Sequence, residues 1–240
     1  MGIKVSTRGL RYLMHRLTGR KTTRLDDMTL ICDPTIIDRA ITREIIKGGY
    51  ELAERQLARQ AILPGDKVLE IGAGIGAVGI LCAKLAGQGN VTSYEANPNL
   101  EPTIRSNFAL NGMVPDLVLK AITVDGGPIS FFRNENFVSS SLYDRKLAAE
   151  KIEVASDAID IALKARQATI IVMDVEGAEI DILPAADLSG VREIIVEVHP
   201  HIVGEAAVQT MLDSLRAKGF ERRLRQHKTE WLSRKTGAKV

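Results

Sequence analysis

Aromatic side chains are scarce in this sequence: one Trp, four Tyr and five Phe among 240 residues. A groove that stacks unpaired bases needs aromatic and basic side chains interleaved, so a single-stranded nucleic-acid platform is disfavoured. Cysteine is scarcer still. Cys32 and Cys82 are far apart and lack metal-type spacing. That argues against a disulfide scaffold or a zinc module and for reduced thiols in a cytoplasmic protein. No apolar run approaches the ~20 residues of a membrane span. The first two dozen residues hold no sustained apolar segment, so no signal peptide is expected either. Internal repeats and low-complexity tracts are absent.

What remains is ordinary for a globular chain of one domain, 45% apolar and 26% charged. The net charge of +2 conceals a strong asymmetry. Residues 1–24 hold seven basic side chains and no acid, and residues 218–240 hold eight basic and two acidic ones. The body, 25–217, therefore carries a net −11. Basic ends of this kind form either a surface for an anionic partner or solvated termini with a charged edge strand. Nucleic acid is the less favoured partner, and the oligomeric state is not legible.

Residues 1–48 are expected to form a basic arm and helical extension, with the main domain over 49–240. Leu10, Leu13, Met14 and Leu17 are at helical spacing, and Asp33-Pro34 looks like the start of a helix that Gly48-Gly49 ends. A second helix follows to about Ala61, then the turn Leu63-Pro-Gly-Asp66. Beyond it, short apolar runs alternate with helices. Strands are expected at Lys67–Ile71, Asn90–Glu95, Leu117–Val124, Thr169–Asp174 and Ile194–Val198. Helices are expected at Ala77–Ala86, Pro98–Leu110, Ala155–Lys164 and Ala206–Lys218. The end, Phe220–Gln226 and Thr229–Arg234, suggests two strands around a tight turn. The fold class implied is α/β: a doubly wound, mostly parallel seven-stranded sheet with an antiparallel C-terminal strand and helices on both faces.

The chemistry concentrates at two places. In Val68-Leu-Glu-Ile-Gly-Ala-Gly-Ile-Gly76, glycines without a β-carbon let a ligand approach the backbone at a strand end. Gly74, Gly76 and Gly79 also satisfy a dinucleotide spacing, and Glu95 lies about where a ribose-binding acid belongs. Glu70 favours S-adenosylmethionine. A pyrophosphate beside that acid would be repelled, whereas the methionine ammonium would be held by it. The expected cofactor contacts are Glu70, Gly72, Ala73, Gly74, Gly76, Glu95, Ala96 and Ala121.

The second place is Val172-Met-Asp-Val-Glu-Gly-Ala-Glu179, with Asp174 at the strand end on the same sheet edge. Asp174, Glu176 and His199 are the expected catalytic residues, since a strand-end histidine or carboxylate can act as a base. Glu179, Glu197, Ser140 and Ser141 are expected to face the substrate. Asp174 with His199 would also suit a divalent metal, but that needs three or more converging ligands, and no metal is expected. Alternatives remain open: a nicotinamide-dependent oxidoreductase, or a non-catalytic nucleoside- or RNA-binding module.

From about Gly49 to Pro200 the chain resembles the FkbM-type methyltransferases of the class I, Rossmann-like superfamily. The resemblance rests on Gly49-Tyr-Glu51, the glycine turn, Tyr94-Glu-Ala-Asn-Pro98, Asn107 with Asn111, Asp174-Val-Glu-Gly-Ala-Glu179 and Ile195-Val-Glu-Val-His-Pro200. It implies S-adenosylmethionine as cofactor and methylation, usually of a hydroxyl on a sugar, polyketide or other small metabolite; a small-molecule, sugar or glycan acceptor is expected here. It also implies that Glu70, Gly72, Gly74, Gly76 and Glu95 touch the cofactor and that Asp174 and Glu176 face the methyl-transfer centre. The family often has Asp at the place of Glu70 and Asn at that of Ile75. The basic ends lie outside the shared region.

Overall fold

The computed structural model describes residues 7–133 and 150–235. The chain begins with helix α1 (Thr7–Thr18), then a hairpin of β1 (Thr22–Leu25) and β2 (Met28–Ile31), then α2 (Arg39–Lys47) and α3 (Leu52–Ala61). The alternating part follows: β3 (Val68–Ile71), α4 (Ala77–Ala86), β4 (Val91–Tyr94), a short 3-10 turn, α5 (Glu101–Leu110) and β5 (Asp116–Val118). Next come β6 (Ala121–Thr123), β7 (Ile129–Arg133), β8 (Glu150–Val154), β9 (Ser156–Ala158) and α6 (Ile159–Arg166). Then β10 (Ile170–Met173), α7 (Glu179–Ala185), β11 (Glu193–Glu197), α8 (Pro200–Val203), α9 (Glu205–Ala217), β12 (Phe220–Gln226) and β13 (Thr229–Arg234) complete it.

The main sheet has seven strands in the order β12-β13-β11-β10-β3-β4-β5. The five from β11 to β5 are parallel, and β13 and β12 are antiparallel. Successive side chains on a strand face opposite sides, and the core divides accordingly. Val68, Ile170, Val172 and Ile195 pack with Leu57, Ile80 and Ile104 on the side of α3, α4 and α5. Leu69, Ile71, Ile171 and Ile194 pack with Leu163, Ile182 and Leu215 on the side of α6, α7 and α9. From β3 the chain winds one way to β4 and β5, and from β10 the other way to β11. The order therefore reverses between β3 and β10, where sheets of this kind open a crevice at their carboxyl ends.

Three expectations are corrected. The third strand is not continuous: β5 pairs with β4 in the main sheet, while β6 leaves it to pair with β9. The helix expected from Ala155 starts at Ile159, because Ser156–Ala158 are taken by that second pairing. The helix expected from Asp33 starts at Arg39, capped by Asp38, whose carboxylate accepts from the Ala40 N–H at 2.7 Å. Asp33 instead closes a local turn, accepting from the Thr35 N–H and hydroxyl.

The amino-terminal segment has the expected helices, α1 and α2, and a further element between them. Its hairpin was not expected, and Leu25, Met28 and Leu30 are buried in the same cluster as Ile80 and Leu81. Two amides on α5 bind it. Asn107 is fully buried; its Oδ1 accepts the Ile31 N–H at 2.8 Å and its Nδ2 donates to the Ile75 carbonyl at 2.8 Å. Asn111 accepts from Thr29 N–H at 3.0 Å and donates to the Thr29 carbonyl at 2.8 Å. Arg55, buried on α3, pairs with Asp26 in the hairpin turn and donates to the carbonyls of Gly48 and Tyr50. The hairpin thus fixes both the glycine turn, through Ile75, and the loop that carries Tyr50. Among the described residues no helix is long and apolar enough to cross a membrane.

Asn107→Ala removes the partners of the Ile31 N–H and the Ile75 carbonyl at once. The urea unfolding midpoint should fall by the equivalent of about 2–4 kcal/mol. A change below about 0.5 kcal/mol would mean that apolar burial alone holds the hairpin.

Candidate active site

The crevice at the β3–β10 switch is a cleft lined from the ends of both strands, by Gly72 and Gly74 on one and Asp174 on the other. Its glycine wall is set by backbone contact. Gly72 follows β3 with φ +89°, and a β-carbon there would overlap the Asp174 carbonyl oxygen. The Gly72 N–H donates to Tyr94 O at 2.9 Å, and the Asp174 N–H donates to Ile71 O at 2.9 Å. The ends of β3, β4 and β10 are thereby stitched together around the turn.

Of the expected cofactor contacts, Gly72, Gly74, Glu95, Ala96 and Ala121 line this cleft. Glu95, at the end of β4, accepts from the Gly74 N–H at 2.9 Å and from the Asn97 N–H at 2.8 Å. Burial nevertheless pushes its carboxyl up to about 7. Ala73 and Gly76 do not line the cleft. Ala73 is buried with its N–H on Tyr94 O, and Gly76 caps α4 against Ile104 and Phe108.

Glu70 is a further correction. Two residues after Val68, it projects to the same side of the sheet, toward α4 and away from the cleft. Its carboxyl, 2% exposed, accepts from the Ser93 hydroxyl and the Gly79 N–H. Burial drives it up to about 8. Besides Glu95, the acid that stands beside Gly74 is Glu51, which lines the cleft with Tyr50. Burial pushes Glu51 to about 8, with Glu54, Glu70 and Glu197 adding repulsion. Gly49-Tyr-Glu51 was visible as a motif, but nothing local assigned it a role. Lys120, also missed, lines the cleft and pairs with Asp157 at 2.7 Å.

Across the cleft stand Asp174 and Glu176, both lining it. Glu51 and Glu176 have left-handed backbones, φ +45° and +51°. That conformation costs non-glycine residues of order 1–3 kcal/mol and clusters at functional sites. Burial, then Glu197, Glu51 and Glu176, holds the Asp174 carboxyl well above the usual carboxylate range.

Behind Asp174 lies His199, 3% exposed. Its Nε2 is 3.4 Å from Asp174 Oδ1, 3.8 Å from Glu197 Oε1 and 3.9 Å from Glu176 Oε2. Its Nδ1 is 3.3 Å from Glu179 Oε1. Burial opposes the charged imidazole, but Glu179 and the neighbouring carboxylates raise its pKa overall. His199, expected to act as base, lies behind Asp174 and does not line the cleft.

Glu179, expected to face substrate, is fully buried. It accepts from the Gly177 N–H at 2.7 Å and the His199 N–H at 3.0 Å, which leaves it no reach into the cleft. Glu197 faces His199 rather than the cleft lining. Ser140 and Ser141 lie outside the described residues.

Residues 70–222 match the family described as methyltransferase FkbM domain. No curated protein sequence matches. Among solved structures, a ribosomal protein L11 methylase from Lactobacillus delbrueckii subsp. bulgaricus is 15% identical, with 79% of this chain and 80% of that one covered at a TM-score of 0.47. A precorrin-6y C5,15-methyltransferase from Geobacter metallireducens is also 15% identical, with 76% and 86% covered at 0.46. A tRNA (uracil-54, C5)-methyltransferase from Pyrococcus abyssi, in complex with S-adenosyl-L-homocysteine, is 12% identical, with 89% and 44% covered at 0.45. Likeness at this level says nothing of what this chain methylates.

Glu70 keeps its proton to about pH 8 when folded, against a reference value of 4.5. Across that window the unfolded chain binds fewer protons, so this group makes stability fall as pH rises. Glu70→Gln should therefore gain stability over the parent protein progressively from about pH 5 to about pH 8 and hold a constant advantage above. Urea midpoints measured across that range check it; a pH-independent difference would place the Glu70 carboxyl in solvent.

Proposed function

The chain belongs to the FkbM methyltransferase family, and we propose that it methylates a hydroxyl of a small metabolite, sugar or glycan, with Asp174 as the base. The cofactor is S-adenosylmethionine. The cleft suits it: a turn with no room for a β-carbon at Gly72, a buried carboxyl at Glu95 for vicinal ribose hydroxyls, and apolar Ala96, Leu100, Ala121 and Ile122 for a base. Glu51, beside Gly74, is the acid for the methionine ammonium, the role first expected of Glu70.

When bound, the cofactor supplies a methyl on a sulfonium whose departing sulfur becomes a neutral thioether. Alignment of the acceptor along that direction is worth ~7–11 kcal/mol in a near-attack geometry. A hydroxyl is barely ionised at neutral pH, so a positioned base adds about 10²–10⁴-fold. The observation that carries the proposal is the Asp174 carboxyl, lining the cleft where its backbone carbonyl meets Gly72 and held basic by burial and by Glu197, Glu51 and Glu176. It takes the hydroxyl proton as the new C–O bond forms. His199 fixes Asp174 from behind, and Glu179 fixes His199.

The charge of the cleft supports a neutral acceptor. Asp174, Glu176, Glu51 and Glu95 line it, and its one lining cation among the described residues, Lys120, is paired with Asp157. A phosphodiester at the transfer centre would find no unpaired cation among the described lining residues to balance its charge. This favours a hydroxylated metabolite or sugar over nucleic acid.

Asp174→Asn should bind S-adenosylhomocysteine within about threefold of the parent protein and lose about 10²–10⁴-fold in turnover. Calorimetry, with transfer of labelled methyl to a panel of hydroxylated acceptors, checks both. Undiminished turnover would remove Asp174 from the mechanism. Glu95 supplies a pH signature. Its free carboxyl titrates at about 7, and ribose hydroxyls favour the ionised form. Affinity for S-adenosylhomocysteine should therefore be level above about pH 7 and weaken by up to about tenfold per pH unit below it. Glu95→Gln should bind more weakly and lose that slope.

A further inference from the structure

We propose that Asp174, Glu197 and His199 form a binding site for a divalent transition-metal cation of the Mn²⁺ class at the inner edge of the cleft. One ligand atom from each residue lies within 4.8 Å of the other two. The cation's binding stands apart from the methyl-transfer reading, although its use in catalysis rests on it.

The imidazole carries the argument. Glu179 Oε2 is held by the Gly177 N–H and Oε1 by the His199 N–H. This fully buried carboxylate faces Nδ1, which turns Nε2 the other way. A carboxylate behind a histidine is the arrangement that orients metal-binding imidazoles. Nε2 then faces Asp174 Oδ1 and Glu197 Oε1, at 3.4 and 3.8 Å. Asp174 Oδ1 is itself buried and makes no hydrogen bond. Three atoms able to act as ligands thus converge, and a buried carboxylate oxygen without a hydrogen bond is costly. A dication between them satisfies all three.

Two carboxylates and one imidazole suit Mn²⁺ better than Ca²⁺, which takes oxygen ligands, usually six to eight. Three protein ligands leave coordination positions open. The Asp174 and Glu197 side chains are 36% and 24% exposed, which provides the approach from solvent. An acceptor with two neighbouring oxygens, such as a vicinal diol or a hydroxy-carbonyl, is the class a cation there would hold.

Mn²⁺ alone is the probe. Titration into the full chain, followed by loss of the free-ion electron paramagnetic resonance signal, should show uptake of one ion per chain. Glu197→Gln and Glu179→Gln should each weaken that uptake by about 10–100-fold, with S-adenosylhomocysteine binding reporting that the variants are folded. Absence of uptake at about millimolar Mn²⁺ by protein that binds S-adenosylhomocysteine would overturn the site and leave an imidazolium among carboxylates. Uptake unchanged in both variants would overturn it as well. Uptake without S-adenosylhomocysteine binding would sustain the cation site and sink the methyl-transfer reading.

Discussion

The close passage of the Gly72 backbone beside the Asp174 carbonyl is the contact on which the rest of this structure depends. It exists because β3 and β10 are neighbours in a parallel sheet whose winding reverses between them. With no β-carbon at Gly72, the two strand ends can share one ligand-sized space. Any larger residue would push the glycine turn and the acid-bearing loop apart. Sequence separation between these segments is about one hundred residues, so only the sheet order brings them together.

Around that contact the fold buries carboxyl groups at high local cost. Glu51, Glu95 and Asp174 are all held above the normal carboxylate range by burial, and two of the cleft acids occupy strained left-handed backbones. Such an arrangement persists only where the surrounding structure enforces it. Here Arg55 fixes the Tyr50 carbonyl from one side, and the Glu179–His199 pair braces Asp174 from the other. The basic residues segregate elsewhere. Arg222, Arg223 and Arg225 sit on the outermost strand β12, where Arg222 and Arg225 pair with the buried Glu230. Charge on an edge strand also discourages pairing with other chains, which accounts for part of the C-terminal basicity without a partner.

The amino-terminal segment is integral to this arrangement. The side-chain amides of Asn107 and Asn111 meet the backbone of β2 almost as a neighbouring strand would, and Asn107 passes the constraint on to Ile75 in the glycine turn. The paired asparagines were a recognisable family feature whose purpose was hidden, because their partners lie 76 and 82 residues away.

What the sequence by itself determined is what local chemistry dictates. Apolar runs, glycine spacing and helix periodicity marked the alternating strands and helices, the C-terminal strand pair and the glycine turn. The acids Glu95 and Asp174 were legible because strand ends at one sheet edge share a side. Tertiary structure decided which of the other acids look inward. Glu70 stands two residues from the turn, yet strand parity aims it at α4; Glu51 belongs to a preceding loop, yet packing delivers it to the cleft. His199 and Glu179 read as site residues from their types, and packing places both behind Asp174, off the cleft lining. The hairpin and the break after β5 escaped detection for the same reason: their hydrogen-bond partners are distant in the chain, and no local pattern encodes them.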